Sequence, residues 1–123
     1  MLAAQKDWEA ALASYQQAVT NYTFCIEQLG MDSVTPDLLE GLRYRLTTLI
    51  ELQRWQEAGQ DICQINSLYS GYLLRDSIEK SLKDAARMQF DQTIVKVREL
   101  SPEQLEKLYA EMGKEAGIKS LLE

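Results

Sequence analysis

The side chains best suited to chemistry are few in this sequence and poorly spaced for it. Two cysteines, Cys25 and Cys63, stand 38 positions apart, and a thiol nucleophile needs an activating base beside it. The chain holds no histidine. That excludes Ser–His and Cys–His pairs, histidine metal sites and a histidine pH switch. The cysteines form no CxxC pattern of a zinc or redox centre. Both fall on apolar helix faces and are expected as buried, reduced thiols. Asp32 and Asp37 flank a loop, but without the alternating oxygen ligands and central glycine of a calcium loop. Glu99, Glu103, Glu106 and Glu111 recur at helix-surface spacing and read as a solvated face. No glycine-rich phosphate loop is present. The chain is expected to be no enzyme and to hold no metal or cofactor.

What remains is recognition, and whole-chain arithmetic narrows its kind. The 123 residues suit one domain, 46% are hydrophobic, and only six Gly and two Pro interrupt them. The 13 Lys and Arg against 19 Asp and Glu give a net charge of −6, which argues against nucleic acid as partner. No apolar run approaches the ~20 residues of a membrane span. No basic flank followed by an apolar core marks a signal peptide, so a cytoplasmic, reducing location is expected. Residues 1–71 carry four basic and nine acidic side chains, and residues 72–123 carry nine and ten. The acidic first half favours a neutral or basic partner segment over an acidic one.

The elements that position any such surface are helices. Trp8, Ala11, Leu12, Tyr15, Ala18, Val19, Tyr22, Ile26 and Leu29 repeat at steps of three and four, and Gly30 follows as a helix stop. Thr35 as cap and Pro36 in the first turn predict a second helix. It turns Leu39, Leu42, Leu46, Leu49 and Ile50 inward and Arg43, Arg45 and Thr47 outward. A tight turn at Gln53-Arg54 leads to a third helix carrying Trp55, Ala58, Ile62, Ile65, Tyr69 and Tyr72, with a break expected at Ser70-Gly71. A long fourth segment, about 73–100, presents Leu74, Ile78, Leu82, Ala85, Ala86, Phe90, Ile94 and Val97. Ser101, Pro102 and Gln104 form a capping box for a fifth helix burying Leu105, Leu108, Tyr109 and Met112. Gly113 and Gly117 weaken its end, with Ile118, Leu121 and Leu122 in a last short turn. No stretch alternates as a strand does. The fold expected is all-α, one domain over 1–123, with a core over 1–70 and a C-terminal extension over 71–123.

Two stretches repeat. Trp8, Ala11, Tyr15 and Ala18 align with Trp55, Ala58, Ile62 and Ile65 at a spacing of 47. A small residue after the aromatic lets two helices approach, and a large one fills the groove a turn later. This pattern resembles the second helix of a tetratricopeptide repeat (TPR), a family whose period is 34 residues. The resemblance covers about residues 6–69. It departs from the family at Leu46, where a small residue is usual, and at Arg45, where the family prefers Leu. It implies antiparallel helical hairpins in a short α-solenoid, with the long C-terminal helices as a cap. A TPR begins with its first helix, whereas this chain begins in a second one. It is thus either a piece of a longer solenoid or a domain in which another element replaces that helix.

The same resemblance makes the second helix line a concave groove through Glu40, Arg43, Tyr44, Thr47 and Glu51, with Arg43 and Tyr44 as a hot-spot pair. TPR co-chaperones that clamp acidic C-termini use Lys, Asn and Arg, and Glu40 and Tyr44 stand at two of those positions, which argues against that clamp here. The expected function is a non-catalytic protein–protein interaction module. It would act as scaffold or adaptor, with co-chaperone and assembly-factor roles open, and would bind a peptide or partner helix. Self-association is a variant, because the unpaired first helix leaves an apolar flank. The alternative is a helical bundle that binds a small apolar ligand or serves as regulatory subunit of an enzyme complex. Arg43 and Tyr44 separate the two: exposure on a groove favours recognition, and burial towards a cavity favours a ligand.

Overall fold

The computed structural model describes residues 2–112, with side chains from residue 7 onward. Five α-helices follow one another with no strand among the described residues: α1 (Leu2–Leu29), α2 (Thr35–Glu51), α3 (Trp55–Leu73), α4 (Lys80–Arg98) and α5 (Pro102–Met112). The fold is all-α. The glycines and apolar residues expected near 113–122 lie outside the described residues.

Each boundary has a local cause. Gly30 takes φ +65, and its N–H and that of Met31 bond the carbonyls of Ile26 and Cys25, closing α1. A single 3-10 turn, Asp32–Val34, then leads into α2. Thr35 does not cap α2 as expected: it lies inside the helix and is buried, and the cap residue Val34 offers no side-chain bond. At the other end Gln53 adopts φ +59. Arg54 N–H bonds Leu49 C=O at 2.8 Å and Gln53 N–H bonds Ile50 C=O at 3.0 Å, the paired bonds of a Schellman turn. The capping box of α5 forms as the sequence predicts, with Ser101 N–H donating to Gln104 Oε1 at 3.1 Å and Gln104 N–H to Ser101 Oγ at 3.2 Å.

The third and fourth elements differ from expectation. Ser70-Gly71 does not interrupt α3, which runs on to Leu73. A helical glycine costs about 1 kcal/mol relative to alanine, but Tyr72, one residue further, is buried and its hydroxyl donates to the Asp32 carbonyl at 2.9 Å. That anchor holds the last turn. The break falls instead at residues 74–79, so the long fourth segment is a loop followed by α4. Arg75 in this loop clasps Asp32 with two bonds of 2.8 and 2.7 Å. Leu74, expected inside, is 82% exposed, whereas Ile78 is buried as expected.

Helix α2 is the centre of the molecule. Leu39, Leu42, Leu46 and Leu49 are fully buried, and α1, α3 and α4 all pack on it. Val19 meets Gly41, and Tyr15 stacks on Tyr44, so α1 runs antiparallel to α2. Arg45, expected to face outward, reaches α3 and holds buried Asp61 with Nε and Nη2, at 2.9 and 2.6 Å. Helix α4 packs on both α2 and α3, where Tyr69 and Phe90 stack 4.4 Å apart. Helix α5 docks on α3 through Leu108 and Met112, with Gly59 directly against Glu111. The first helix is less buried than its stripe suggested. Leu12 and Val19 are inside, whereas Trp8 and Leu29 are exposed.

Candidate functional site

The five residues expected to line a groove all lie along α2, and the structure brings α4 beside Glu40, Arg43, Thr47 and Glu51. Glu40 and Arg43 meet Gln89 near the middle of α4. Thr47 and Glu51 lie beside Lys96 and Glu99 further on. The two helices therefore run side by side in the same direction, and their seam is the candidate site. It holds two hollows. One of about 560 Å³ lies over Arg43, Arg87, Met88, Gln92, Val95 and Lys96. A smaller one of about 280 Å³ lies between Thr47, Glu51, Lys96, Glu99 and Gln104.

Arg43 is a correction to the sequence analysis: it is 8% exposed rather than outward. Its guanidinium lies 4.6 Å over the Tyr44 ring, a cation–π contact. Its Nη2 donates to Gln89 Oε1 at 3.1 Å, and Gln89 Nε2 donates in turn to Glu40 Oε2 at 3.1 Å. Gln89 thus latches α4 onto α2. The Nε of Arg43 has no hydrogen-bond partner among the described residues. Tyr44 is 39% exposed and stacks on Tyr15 of α1, centroids 5.5 Å apart. The two residues chosen to separate recognition from ligand binding therefore divide: Tyr44 faces solvent, and Arg43 lies low beside a hollow open along α4. Thr47 is half-buried and bonds the Arg43 carbonyl at 3.0 Å, and Glu51 is exposed.

The wall contributed by α4 was missed in the sequence. Met88 and Val95 are 52% and 53% exposed and lie seven residues apart with Gln92 between. That is one solvent-facing stripe, opposite the buried Ala86, Thr93 and Val97. Two apolar residues off the inward stripe were the available signal. The hollow is also charged differently from the chain. Its lining carries three cations, Arg43, Arg87 and Lys96, and two carboxylates, Asp84 and Asp91. Tyr69 first, and Asp84 and Asp91 beside it, raise the pKa of Arg87.

Elsewhere the ionisable groups serve packing. Burial pushes the Asp61 carboxyl above its ordinary value, with Arg45 pulling the other way. The Arg75 hydrogen bonds hold Asp32 below its ordinary value. Cys25 and Cys63 are half-buried rather than buried, and neither is in a disulfide. No cluster of three or more Cys, Asp or Glu suited to a metal ion occurs among the described residues, and no described helix is long and apolar enough to cross a membrane. A comparison with protein-family models, curated proteins and solved structures returned no match.

Proposed function

We propose that this chain is a non-catalytic protein-interaction module built from TPR-like helical hairpins, and that the seam between α2 and α4 takes a peptide or helix of another protein. The observation that carries the proposal is the exposed Met88–Val95 stripe beside Arg43 over an open hollow, with the half-exposed Tyr44 ring stacked against that arginine. Apolar stripe, aromatic and arginine are the composition of an interface anchor rather than of a solvated surface. The parallel run of α2 and α4, each followed by a helix that packs on α3 or forms it, fits a repeat of hairpins. An open trough favours a segment of chain over a small apolar ligand, which needs enclosure on most sides. Reduced thiols at Cys25 and Cys63 fit a cytoplasmic role.

The test is selection of binders from a displayed library of random peptides, followed by NMR titration of the labelled protein. Shifts concentrated at Tyr44, Thr47, Met88, Gln92 and Val95 are expected. Failure to select any peptide, or shifts that map to other helices, overturns the proposal.

A further inference from the structure

We infer that the α2–α4 groove selects partner segments that carry an internal Asp or Glu between apolar residues, with Arg43 as the carboxylate anchor. This rests on the interaction reading above and names the chemistry of its partner.

The Arg43 guanidinium has an unmet hydrogen-bonding demand. Arg43 is 8% exposed and has lost most of its hydration, yet no carboxylate lies within ion-pair distance of it among the described residues. Its one hydrogen bond goes to the neutral amide oxygen of Gln89, and its Nε has none. A desolvated guanidinium carries five N–H donors and is best satisfied by a carboxylate. The acidic groups nearby are engaged elsewhere. Glu40 accepts from Gln89, while Asp84 and Asp91 flank Arg87. Lys96 lines the same hollow and makes no ion pair among the described residues. The hollow is thus locally cationic in a chain of net charge −6.

The rest of the lining says how that carboxylate arrives. Met88 and Val95 sit seven residues apart, roughly 10 Å along α4, and Arg43 lies at the level of Gln89 between them. A segment crossing this trough puts apolar side chains on Met88 and Val95 and its acid on Arg43. The lining runs from Asp84 to Lys96 along the exposed side of α4, about 18 Å of helix, which suits a passing segment rather than a chain end. The negative first half of the sequence pointed to neutral or basic partners; the hollow over Arg43, with three cations against two carboxylates, has the opposite sign.

The experiment takes the peptides selected above and measures their affinity calorimetrically as Glu and Gln (or Asp and Asn) pairs. The acidic member is expected to bind at least about tenfold more tightly, a difference of ~1.4 kcal/mol. On Arg43→Met protein that ratio should fall to near one. Should Arg43→Met fail to fold, wild-type protein still decides the matter: the Arg43 Nε–H resonance is expected to shift with the acidic peptide and not with its amide twin. Peptides that bind the groove without an acid, acid and amide twins of equal affinity, or dependence on a free C-terminal carboxylate would each overturn the inference while leaving the interaction reading intact. Binders that map away from α2 and α4 would remove both.

Discussion

Gln89 is the residue on which the groove's construction can be tested most sharply. It is 7% exposed, accepts from Arg43 and donates to Glu40, so one side chain couples α4 to two positions on α2. Gln89→Met keeps the length of the side chain and removes both bonds. Arg43 is then a buried cation whose last acceptor is gone. A lost hydrogen bond to a charged group together with the unpaired donor costs ~2–3 kcal/mol, a fall of roughly 10 °C in Tm for a domain of this size. Replacing both partners, Arg43→Met with Gln89→Met, removes the buried charge as well as its acceptor. The double variant should recover to within about 1 kcal/mol of wild type. Urea unfolding followed by circular dichroism at fixed m-value measures all three variants. A single-variant loss below ~0.5 kcal/mol would mean that water reaches the guanidinium, and would refute the idea that Arg43 is held dry and under-satisfied.

Other expectations follow from single residues. Gln53 pays for a left-handed backbone at φ +59, so Gln53→Gly should stabilise the protein by up to ~1 kcal/mol, read as a higher urea midpoint. A Cβ added at Gly59 would sit 3.1 Å from Glu111 Cβ and 3.3 Å from its carbonyl carbon. Gly59→Val should therefore push α5 off α3 at a cost of ~1–3 kcal/mol, seen as faster amide exchange at Leu108 and Met112. The two perturbed carboxylates should titrate in opposite senses. Asp61 is raised by burial, so the folded chain takes up that proton before the unfolded chain, and this group adds stability as pH falls. Asp32 is lowered by Arg75, so its contribution is complete above the unfolded carboxylate value and is lost as pH falls through the folded one. Carboxyl NMR should find Asp61 protonating at the higher pH; the reverse order would contradict at least one of the two assignments.

How much of this was legible depended on how local each cause is. The stripe of Leu39, Leu42, Leu46 and Leu49, the stop at Gly30 and the Ser101–Gln104 box are written within a few residues, and they appear as read. Arg43 and Arg45 looked outward because both are charged on the back of an apolar stripe. Their partners, Gln89 and Asp61, lie 46 and 16 positions away, and no periodicity foretells a match at that distance. Gly71 misled for the same reason. The local signal favoured a break, and the buried Tyr72 with its bond to Asp32 outweighed it. Glu40, Arg43, Thr47 and Glu51 lie beside α4, whereas Tyr44 stacks on α1; the α4 wall itself required knowing that α4 returns alongside α2.

The position of α1 has a consequence for how the molecule comes apart. Its 28 residues rest chiefly on α2 and the short turn before it, and among its described side chains only Leu12 and Val19 are well buried. Helices α2, α3, α4 and α5 are tied by the Arg45–Asp61 bridge, the Gln89 latch and the Gly59–Glu111 contact. The chain is therefore graded in its resistance to opening. Helix α1, held chiefly by the one neighbour α2, is expected to open as a unit at a lower free energy than the rest. Native-state hydrogen exchange should find one early set of amides in α1 and a later, shared set in α2 and α3. The Tyr15–Tyr44 stack, which joins that helix to α2, is then the first aromatic contact to be lost.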